Sequence, residues 1–367
     1  MGAKDVMRTT SVIQKCTLLV HTKSFSTECK VDKNGLVDPL HLFRYLDSRN
    51  YERLDNLLDN WKEQYPDEVT NTPKPTVTYL EKFRQQDPVL VKDRIQKPLN
   101  IKLYFDHLNS ITLGRNIIYS HQLQSTQTLL FNRLKDFEGD LACVTDIQFG
   151  GKGRNDHIWT SPYGCLMFSF KTQIDKAYNL CFMQYLSCIA MVRAIKQIPE
   201  YSKINVGIKW PNDIYVDKHV KIGGIICQSV YTKNKFNVIT GIGINVSNSL
   251  PTTCLDDEAS KIKGSPVCVG RSILLAEFFN NMSSILLLFQ KYGFEPFHDE
   301  YIDMWLHTNQ QMTCQDEDGN LSGVTIQNIN DEGFLTAINE KGDIVELYPD
   351  STSVNLMDKL IIRRKRN

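Results

Sequence analysis

The residues with the clearest chemical potential lie between positions 148 and 164. Glycines at positions 150, 151 and 153 surround Lys152, and Arg154 follows directly. Glycines allow backbone N–H groups to approach a bound anion, and the two cations supply opposite charge. Trp159 adds a flat surface on which a base can stack. The segment predicts a phosphate-binding loop beside an aromatic ring, although a surface loop with ordinary basic residues has a similar composition.

The loop follows neither of two common phosphate-binding patterns. A P-loop needs Ser or Thr directly after its lysine, whereas Lys152 is followed by glycine. Asp156 stands where the dinucleotide fingerprint needs its third glycine. The flanking elements therefore have to indicate which fold holds the loop.

Strands are predicted on both sides of the loop. The apolar patterns predict strands at 116–120, 140–147 and 165–170 and a helix at 128–134. Ser125 and Thr126 lie at the junction between the first strand and this helix. Such residues usually cap a helix, but their hydroxyls also suit hydrogen bonding to a polar ligand.

The downstream pattern favours an antiparallel sheet. After a buried helix at 180–195, strands are predicted at 204–210, 214–216, 221–230 and 236–246. Their connections are too short for parallel crossovers, which need about a dozen residues or more. A Rossmann sheet is therefore excluded. Pro211, Asn212 and Asp213 form the first turn of this meander.

Three further regions have distinct patterns. Helices are predicted at 271–292 and 297–307, and one or two amphipathic helices within 41–61. Beyond Asn309, short strands alternate with turns at 317–320, 331–333 and 341–343. That alternation predicts a small β-barrel of about 60 residues as a separate domain.

Composition limits the classes of partner. The 367 residues include 42 basic and 42 acidic ones, so net charge gives no argument for nucleic-acid or membrane binding, and we expect neither. Ten scattered cysteines without a CxxC pair favour a reducing compartment and no structural zinc. We expect a cytoplasmic protein, while the basic, Ser- and Thr-containing first 26 residues leave a mitochondrial transit peptide open.

Four motifs in order are similar to those of one enzyme family. They are Ser-Thr-Gln at 125–127, GGKGRxxxxWxSPxG at 150–164, KWPNDIY to KIGG at 209–224, and GIGINVSN at 241–248. Together they resemble biotin protein ligases, most closely the eukaryotic enzymes called holocarboxylase synthetases. Joint occurrence in this order is far more specific than any single motif. The resemblance covers residues 100–360.

The resemblance implies an α+β fold. Residues 100–308 would form a catalytic domain related to class II aminoacyl-tRNA synthetases, with a mixed, largely antiparallel sheet flanked by helices. Residues 309–367 would form an SH3-like β-barrel. Residues 1–99 would be an N-terminal extension of unknown role. No winged-helix DNA-binding pattern precedes the catalytic motifs, so we expect no repressor function.

The resemblance also implies a two-step reaction. Biotin and MgATP form biotinyl-5′-AMP and pyrophosphate, and a specific lysine of a biotin carboxyl carrier domain then takes the biotinyl group. The implied partners are carrier domains of acetyl-CoA, pyruvate, propionyl-CoA and methylcrotonoyl-CoA carboxylases, and a homodimer is an open expectation. The implied small molecules are ATP, Mg²⁺ and biotin.

Site residues follow from the motif matches. The resemblance implies catalytic roles for Lys152, Arg154, Lys221 and Asp213, the last on Mg²⁺ or on the incoming lysine. Its biotin-binding set is Ser125, Thr126, Gln148, Gly151, Lys152, Arg154, Lys221, Gly223 and Gly241. Its adenylate-binding set is Arg154, Trp159, Asn212, Lys221 and Asn245.

Simpler interpretations stand beside these roles. Asn212 and Asp213 also suit an ordinary β-turn, Lys221 a solubilising sheet edge, and Trp159 a plain core position. A lipoate ligase or octanoyltransferase would share the architecture, and a non-catalytic biotin sensor would share the ligand. The three cations Lys152, Arg154 and Lys221 favour an enzyme, because bringing a carboxylate to a triphosphate requires offsetting charge.

Overall fold

The computed structural model describes residues 98–110, 112–137, 140–153, 158–175, 180–248, 250–356 and 358–363, together with the backbone of residues 40–44. Within these residues the chain forms two sheets and six α-helices. The helices are α1 (Ile101–His107), α2 (Thr126–Arg133), α3 (Phe182–Gln197), α4 (Leu255–Lys263), α5 (Arg271–Tyr292) and α6 (His298–Met304), with a 3₁₀ turn at Glu295–Phe297.

The first sheet has eight strands in the order β1-β2-β3-β4-β8-β7-β6-β5. They are β1 (Leu40–Arg44), β2 (Asn116–Leu123), β3 (Leu141–Gln148), β4 (Cys165–Ile174), β5 (Val206–Lys209), β6 (Asp213–Val216), β7 (Val220–Thr232) and β8 (Lys235–Asn245). Only β2 and β3 pair in parallel, because α2 makes the crossover between them. The antiparallel pairing predicted from the short connections is confirmed for β5 to β8, and the sheet as a whole is mixed, as the resemblance implies.

Strand β1 corrects one expectation. The predicted helices over 41–61 are wrong for residues 41–44, whose backbone pairs antiparallel with β2 at the sheet edge. The rest of that segment lies outside the described residues. The sheet thus includes part of the first 99 residues, while the division of the chain at residue 99 stays a prediction.

The period-2 alternation of the central strands separates a core face from a ligand face. Phe168 and Phe170 of β4 pack edge-to-face on Phe278 and Phe279 of α5, with ring centroids 5.0–5.8 Å apart. Helices α3 and α5 cover this face. The alternate residues of β4 and β8 face the other way, towards α2 and the segment at 148–164, which is called the glycine loop below.

Helix α5 is the longest of the helices that the structure describes. By length and hydropathy it is a candidate for crossing a membrane, the one such helix among the described residues. However, 67% of its most apolar window is buried inside the protein. Its contacts with α3 and β4 are those of a core helix in a globular domain.

Predicted helix 297–307 is shorter in the structure, where α6 ends at Met304. The chain then runs beside the sheet edge, where Trp305 bridges to Ile208 in parallel and the Leu306 N–H donates to the Ile208 carbonyl at 2.9 Å. Pairing with the exposed edge of β5 satisfies backbone groups that a longer helix would leave open.

The second sheet has six strands in the order β12-β11-β10-β9-β14-β13. They are β9 (Gln311–Gln315), β10 (Leu321–Ile329), β11 (Leu335–Asn339), β12 (Ile344–Leu347), β13 (Thr352–Asn355) and β14 (Leu360–Arg363). The turns between β9 and β12 fall where the sequence predicts them. Strand β14 returns to pair in parallel with β9.

The second sheet packs firmly on the first unit. The Tyr185 hydroxyl donates to the Gly333 carbonyl at 2.6 Å, and both are buried at this junction. Gly333 has a φ of +84°, and a Cβ there would lie 2.7 Å from the Cys181 sulfur. The close approach of the β10–β11 turn to α3 therefore requires glycine.

Candidate active site

A cavity of about 450 Å³ opens on the ligand face of the first sheet. Its floor comes from β4, β7 and β8, and its walls from the N-terminus of α2, the glycine loop, the turn before β6 and strand β13. Ten of the predicted site residues line it: Ser125, Thr126, Gln148, Lys152, Trp159, Asn212, Asp213, Lys221, Gly241 and Asn245. Motifs that are far apart in sequence therefore meet at one cavity.

Lys221 and Asp213 form an ion pair on the cavity wall. The Lys221 Nζ lies 2.7 Å from the Asp213 Oδ1, with 37% and 18% of the two side chains exposed. A register shift between β6 and β7 makes this possible, since Ile214 pairs with Gly223 but Tyr215 with Lys221. The extra residue in β7 turns Lys221 to the same face as Asp213.

Gly224 leaves room for this pair. A Cβ at Gly224 would lie 3.3 Å from the Asp213 Oδ1 and 3.5 Å from the Lys221 Nζ. Gly223, the predicted biotin-lining glycine, is not on the cavity wall. Its missing side chain faces the helix-covered core, where a Cβ would lie 2.1 Å from the Ile244 Cδ1.

Trp159 packs on the floor of the cavity. Its indole rests on Gly243, where a Cβ would lie 2.5 Å from the Nε1 atom. The Lys221 Nζ is 5.6 Å from the centroid of its ring. An aromatic surface beside a cation suits a nucleotide whose base stacks while its phosphate is neutralised.

The glycine loop folds as an irregular hairpin. Gln148 bridges to Ser161 and Lys152 to Ile158, and the Trp159 N–H donates to the Gly151 carbonyl at 2.9 Å. Gly151 is not on the cavity wall; a Cβ there would lie 2.7 Å from the Trp159 carbonyl oxygen. Lys152 lines the cavity from an exposed position. Arg154 lies outside the described residues.

Polar side chains at the start of α2 form a connected network. The Ser125 hydroxyl caps the helix by accepting the Thr128 N–H at 3.2 Å, which starts α2 earlier than predicted. The Gln148 Oε1 accepts the Thr126 N–H at 2.9 Å, while the Thr126 hydroxyl lies 2.8 Å from that of Ser169. The cap interpretation is thus confirmed, and Ser125 retains a hydroxyl hydrogen to donate.

Asn212 and Asn245 hold the turns around the ion pair. The Asn212 amide donates to the Ile225 carbonyl. The Asn245 Nδ2 donates to the Thr252 hydroxyl at 3.2 Å, which in turn donates to the Lys221 carbonyl at 3.1 Å. Both asparagines therefore have structural bonds besides their predicted contacts with adenine. Thr252, which lies outside the four sequence motifs, joins the wall as well.

The charge of the cavity favours anions. Among the described lining residues, three are lysines and one is an aspartate: Lys152, Lys209, Lys221 and Asp213. Burial, and then the Asp213 carboxylate, raise the pKa of the nearby Tyr215 phenol to about 12. Tyr215 thus stays neutral at physiological pH and adds no negative charge.

The second sheet completes the cavity through one strand. Thr352, Ser353 and Val354 of β13 are among its lining residues. The sequence indicates a separate small β unit but not that it reaches the site. Nothing in the local pattern of β13 distinguishes it from its neighbours, so only the packed structure reveals this wall.

No group of three or more His, Cys, Asp or Glu residues within the described part of the chain is arranged to hold a metal ion. Asp213 is the one carboxylate among the described lining residues. Mg²⁺ commonly binds through one or two carboxylates together with substrate phosphates and waters. The residues present therefore fit a magnesium ion that arrives with a nucleotide.

Family comparison first gives the class. Residues 119–245 match the model of the Biotin/lipoate A/B protein ligase family. That span runs from within β2 to the end of β8 and contains most of the residues that line the cavity. The family model therefore includes both biotin ligases and lipoate ligases. Similarity to individual relatives distinguishes between the two.

Those relatives are biotin–protein ligases. The chain is 36% identical over 282 residues to Biotin–protein ligase 1, chloroplastic, of Arabidopsis thaliana, covering 75% of this chain and 76% of that one. It is 30% identical over 343 residues to the human Biotin–protein ligase, covering 90% of this chain and 46% of the human one. The chain belongs to the biotin–protein ligase family.

A solved structure of a biotin protein ligase has a similar fold. The biotin protein ligase from Aquifex aeolicus in complex with biotin and ATP matches with a TM-score of 0.50 and 26% identity. The match covers 64% of this chain and 97% of the bacterial chain. The human alignment spans 90% of this chain and so enters the first 99 residues, to which the sequence motifs gave no relation.

Proposed function

We propose that the chain activates biotin with ATP to biotinyl-5′-AMP and transfers the biotinyl group to a lysine of a carrier domain. The observation that carries this proposal is the Lys221–Asp213 pair beneath the Trp159 ring, inside a cavity with a lysine-rich wall. Family membership makes biotin and ATP the substrates to test first.

In the first step, the biotin carboxylate attacks the α-phosphorus of ATP and pyrophosphate leaves. The biotin carboxylate and the triphosphate are both anionic, and preorganised cations offset their repulsion. Lys221 is held ready by Asp213 and by the strand bulge, so its position costs little reorganisation during reaction. Lys152 adds charge from the loop, and Trp159 stacks on adenine.

In the second step, the amine of the carrier lysine attacks the activated carbonyl and AMP leaves. A free lysine has a pKa of about 10.4, so most of it is ammonium at neutral pH and must lose a proton. Asp213 lines the cavity and can accept that proton or position MgATP.

The two roles of Asp213 are separable. Asp213→Asn should slow carrier labelling from preformed biotinyl-5′-AMP, without added Mg²⁺, if the carboxylate accepts the proton. A defect confined to pyrophosphate release, relieved by raising Mg²⁺, would assign it to the metal instead. Single-turnover mixing with each substrate measures both steps.

The decisive experiment is ATP-dependent pyrophosphate release with biotin, with and without a carrier domain. We expect biotinyl-5′-AMP formation and labelling of one carrier lysine. Lipoate in place of biotin tests the related activity of the same class. Lipoylation without biotinylation, or biotin binding without pyrophosphate release, would reject the proposal.

The finer details of fold and partners belong to the proposal as well. The six-stranded second sheet supports an SH3-like barrel, and the mixed sheet flanked by helices supports a relation to class II aminoacyl-tRNA synthetases. Acetyl-CoA, pyruvate, propionyl-CoA and methylcrotonoyl-CoA carboxylase carrier domains are the panel for labelling. Light scattering with and without biotin and ATP tests the homodimer, and fluorescent tagging tests the cytoplasmic location.

A further inference from the structure

A buried ion pair lies at the base of the glycine loop. The Arg271 Nη2 is 2.7 Å from the Asp146 Oδ1, and only 4% and 0% of the two side chains are exposed. Arg271 is the first residue of α5, and Asp146 lies in β3, two residues before the loop begins at Gln148. Both residues lie outside the four sequence motifs and outside the lining of the cavity.

Further hydrogen bonds hold the carboxylate of this pair. The Asp146 Oδ1 also accepts the Leu99 N–H at 3.0 Å, and the Oδ2 accepts the hydroxyl of Tyr119 on β2. Burial, and then the Asp146 carboxylate, raise the pKa of Tyr119, so its phenol stays protonated and donates. A buried charge is tolerated when it is paired and hydrogen-bonded in this way. The carboxylate therefore has a fixed orientation at the end where the chain enters the loop.

The guanidinium group reaches the other end of the loop. The Arg271 Nη1 donates to the Cys165 carbonyl at 3.4 Å, and the guanidinium carbon lies 5.1 Å from the centroid of the Tyr163 ring. Tyr163 and Cys165 lie where the loop passes into β4. The planar fork of arginine can hold a carboxylate, a carbonyl and an aromatic ring in one fixed arrangement. One side chain thus connects the two ends of the loop.

The pair lies on the helix-covered face of the sheet. Asp146 follows the core residues Ala142 and Val144 in the alternation of β3, so its side chain points away from the cavity. Lys152 and Trp159, which line the cavity, lie between the two ends that the pair connects. Movement of either end would displace both side chains, and small displacements of binding groups have large effects on rate.

We infer that Arg271 and Asp146 are positioning residues for the nucleotide: their ion pair anchors both ends of the glycine loop and thereby holds Lys152 and Trp159 against bound ATP. This inference rests on the proposed function, which supplies the nucleotide. It gives the first turn of α5 a part in ATP binding, although α5 contributes no residue to the lining of the cavity.

The test variant combines Arg271→Met with Asp146→Asn. Removing both charges together leaves neither one buried and unpaired, and asparagine keeps an oxygen and an amide group for the neighbouring hydrogen bonds. The matched control combines Arg193→Met with Glu300→Gln. It removes another ion pair, with 2.5 Å between the Arg193 Nη2 and the Glu300 Oε2, which joins α3 to α6 away from the loop.

Two measurements separate positioning from general support. Initial rates of pyrophosphate release give kcat and the KM values for ATP and biotin, and hydrogen exchange followed by mass spectrometry compares residues 148–164 with residues 220–245. We expect the test variant to raise KM for ATP about tenfold, with KM for biotin and kcat within about threefold of wild type. Exchange should become faster in residues 148–164 alone. The control should match wild type in every measurement.

A third substitution tests whether the pair acts through the loop. Lys152→Ala should raise KM for ATP in wild type and have little further effect in the test variant, where the loop no longer holds that lysine in place. Such non-additivity indicates that the two sites are coupled. Arg271→Lys keeps the charge but loses the fork, so it should raise KM for ATP by a smaller factor.

Three results would contradict these expectations. Wild-type KM for ATP and wild-type loop exchange in the folded test variant, or in Arg271→Lys if the double variant does not fold, would mean that the pair only secures α5. Equal rises in both KM values with faster exchange throughout would indicate a general loss of stability. Wild type that releases no pyrophosphate from biotin and ATP would reject the proposed function, whereas loop exchange in the variants would still decide whether the pair anchors the loop.

Discussion

The two sides of the cavity differ in how firmly they are built. The sheet side places Lys221 and Asp213 on neighbouring strands, locked by a bulge and by hydrogen bonds to the adjoining turns. The loop side carries Lys152 on a hairpin with isolated bridges, and its apolar residues Phe149 and Ile158 are 61% and 87% exposed. Groups on packed strands act with little reorganisation, whereas segments with few packed contacts open more readily.

The largest expected effect is on the sheet side. Lys221→Ala should lower kcat for pyrophosphate release by about 10²–10³-fold, since it removes a preorganised cation and leaves Asp213 unpaired. Stopped-flow pyrophosphate detection measures it. Lys235→Ala is the control, because that lysine of the same sheet is 51% exposed and lies 3.9 Å from Asp175 at the surface. Comparable loss in both would contradict a site-specific role.

Low pH should lower the stability of the sheet side of the cavity. Burial lowers the pKa of His307 to about 4, where its Nε2 accepts the Trp210 N–H at 3.0 Å just before the turn that carries Asn212 and Asp213. In the unfolded chain His307 takes up a proton near pH 6.5, whereas in the folded protein it does so only near pH 4. Stability from this group is therefore full above pH 6.5 and falls as pH drops towards 4.

Urea unfolding at pH 7 and pH 5 measures that difference. Wild type should lose on the order of 2 kcal/mol more than His307→Gln, which has no group to protonate. An equal loss in both proteins would mean that other groups carry the acid sensitivity of this turn.

Gly243 lies against the Trp159 ring, so a substitution there tests the contact between the glycine loop and the sheet. Gly243→Ala should displace Trp159, because its Cβ would lie 2.5 Å from the indole nitrogen, and raise KM for ATP about tenfold. Gly241→Ala should instead raise KM for biotin, since its Cβ meets Gln127. Initial rates with each substrate varied give both constants. The same pattern in both variants would reject a division of the floor between the two substrates.

The smallest effect is expected from the loop cation. Lys152→Ala should raise KM for ATP only a few-fold, about three to ten, because water and salt screen an exposed charge. The effect should shrink when ionic strength rises, and Lys152→Arg should restore affinity. A loss of activity as large as that of Lys221→Ala would mean that Lys152 is as well ordered in the complex as Lys221 is on the sheet.

Much of this arrangement was predictable from sequence. Alternating apolar residues and short turns gave the meander β5 to β8, and the helix predicted at 271–292 has those bounds in the structure. The motif matches brought ten residues to one cavity. Backbone periodicity and turn chemistry are local, and a single sequence carries them.

Other features depend on distant contacts that a local pattern does not contain. Gly223 and Gly224 face opposite sides because side chains alternate along a strand. The register shift that brings Lys221 to the same face as Asp213 is visible only in the structure. Gln127 stands in a recognised motif, yet only the carbonyl of Ile239 on another strand fixes which end of its amide faces the cavity. Residues 41–44 suited a helix and pair instead with β2, because tertiary pairing overrides local propensity.

The parallel pairing of β14 with β9 has a consequence for synthesis on the ribosome. Strands β9 to β12 emerge first and can pair as a meander. Among the described strands, β13 pairs with β14 alone, and β14 reaches its partner β9 only after residue 363 has left the exit tunnel. Since β13 forms one wall of the cavity, a nascent chain holds every lysine of the site before it holds a closed pocket. Vectorial growth thus delays a closed ligand cavity until β14 has emerged and paired with β9 and β13.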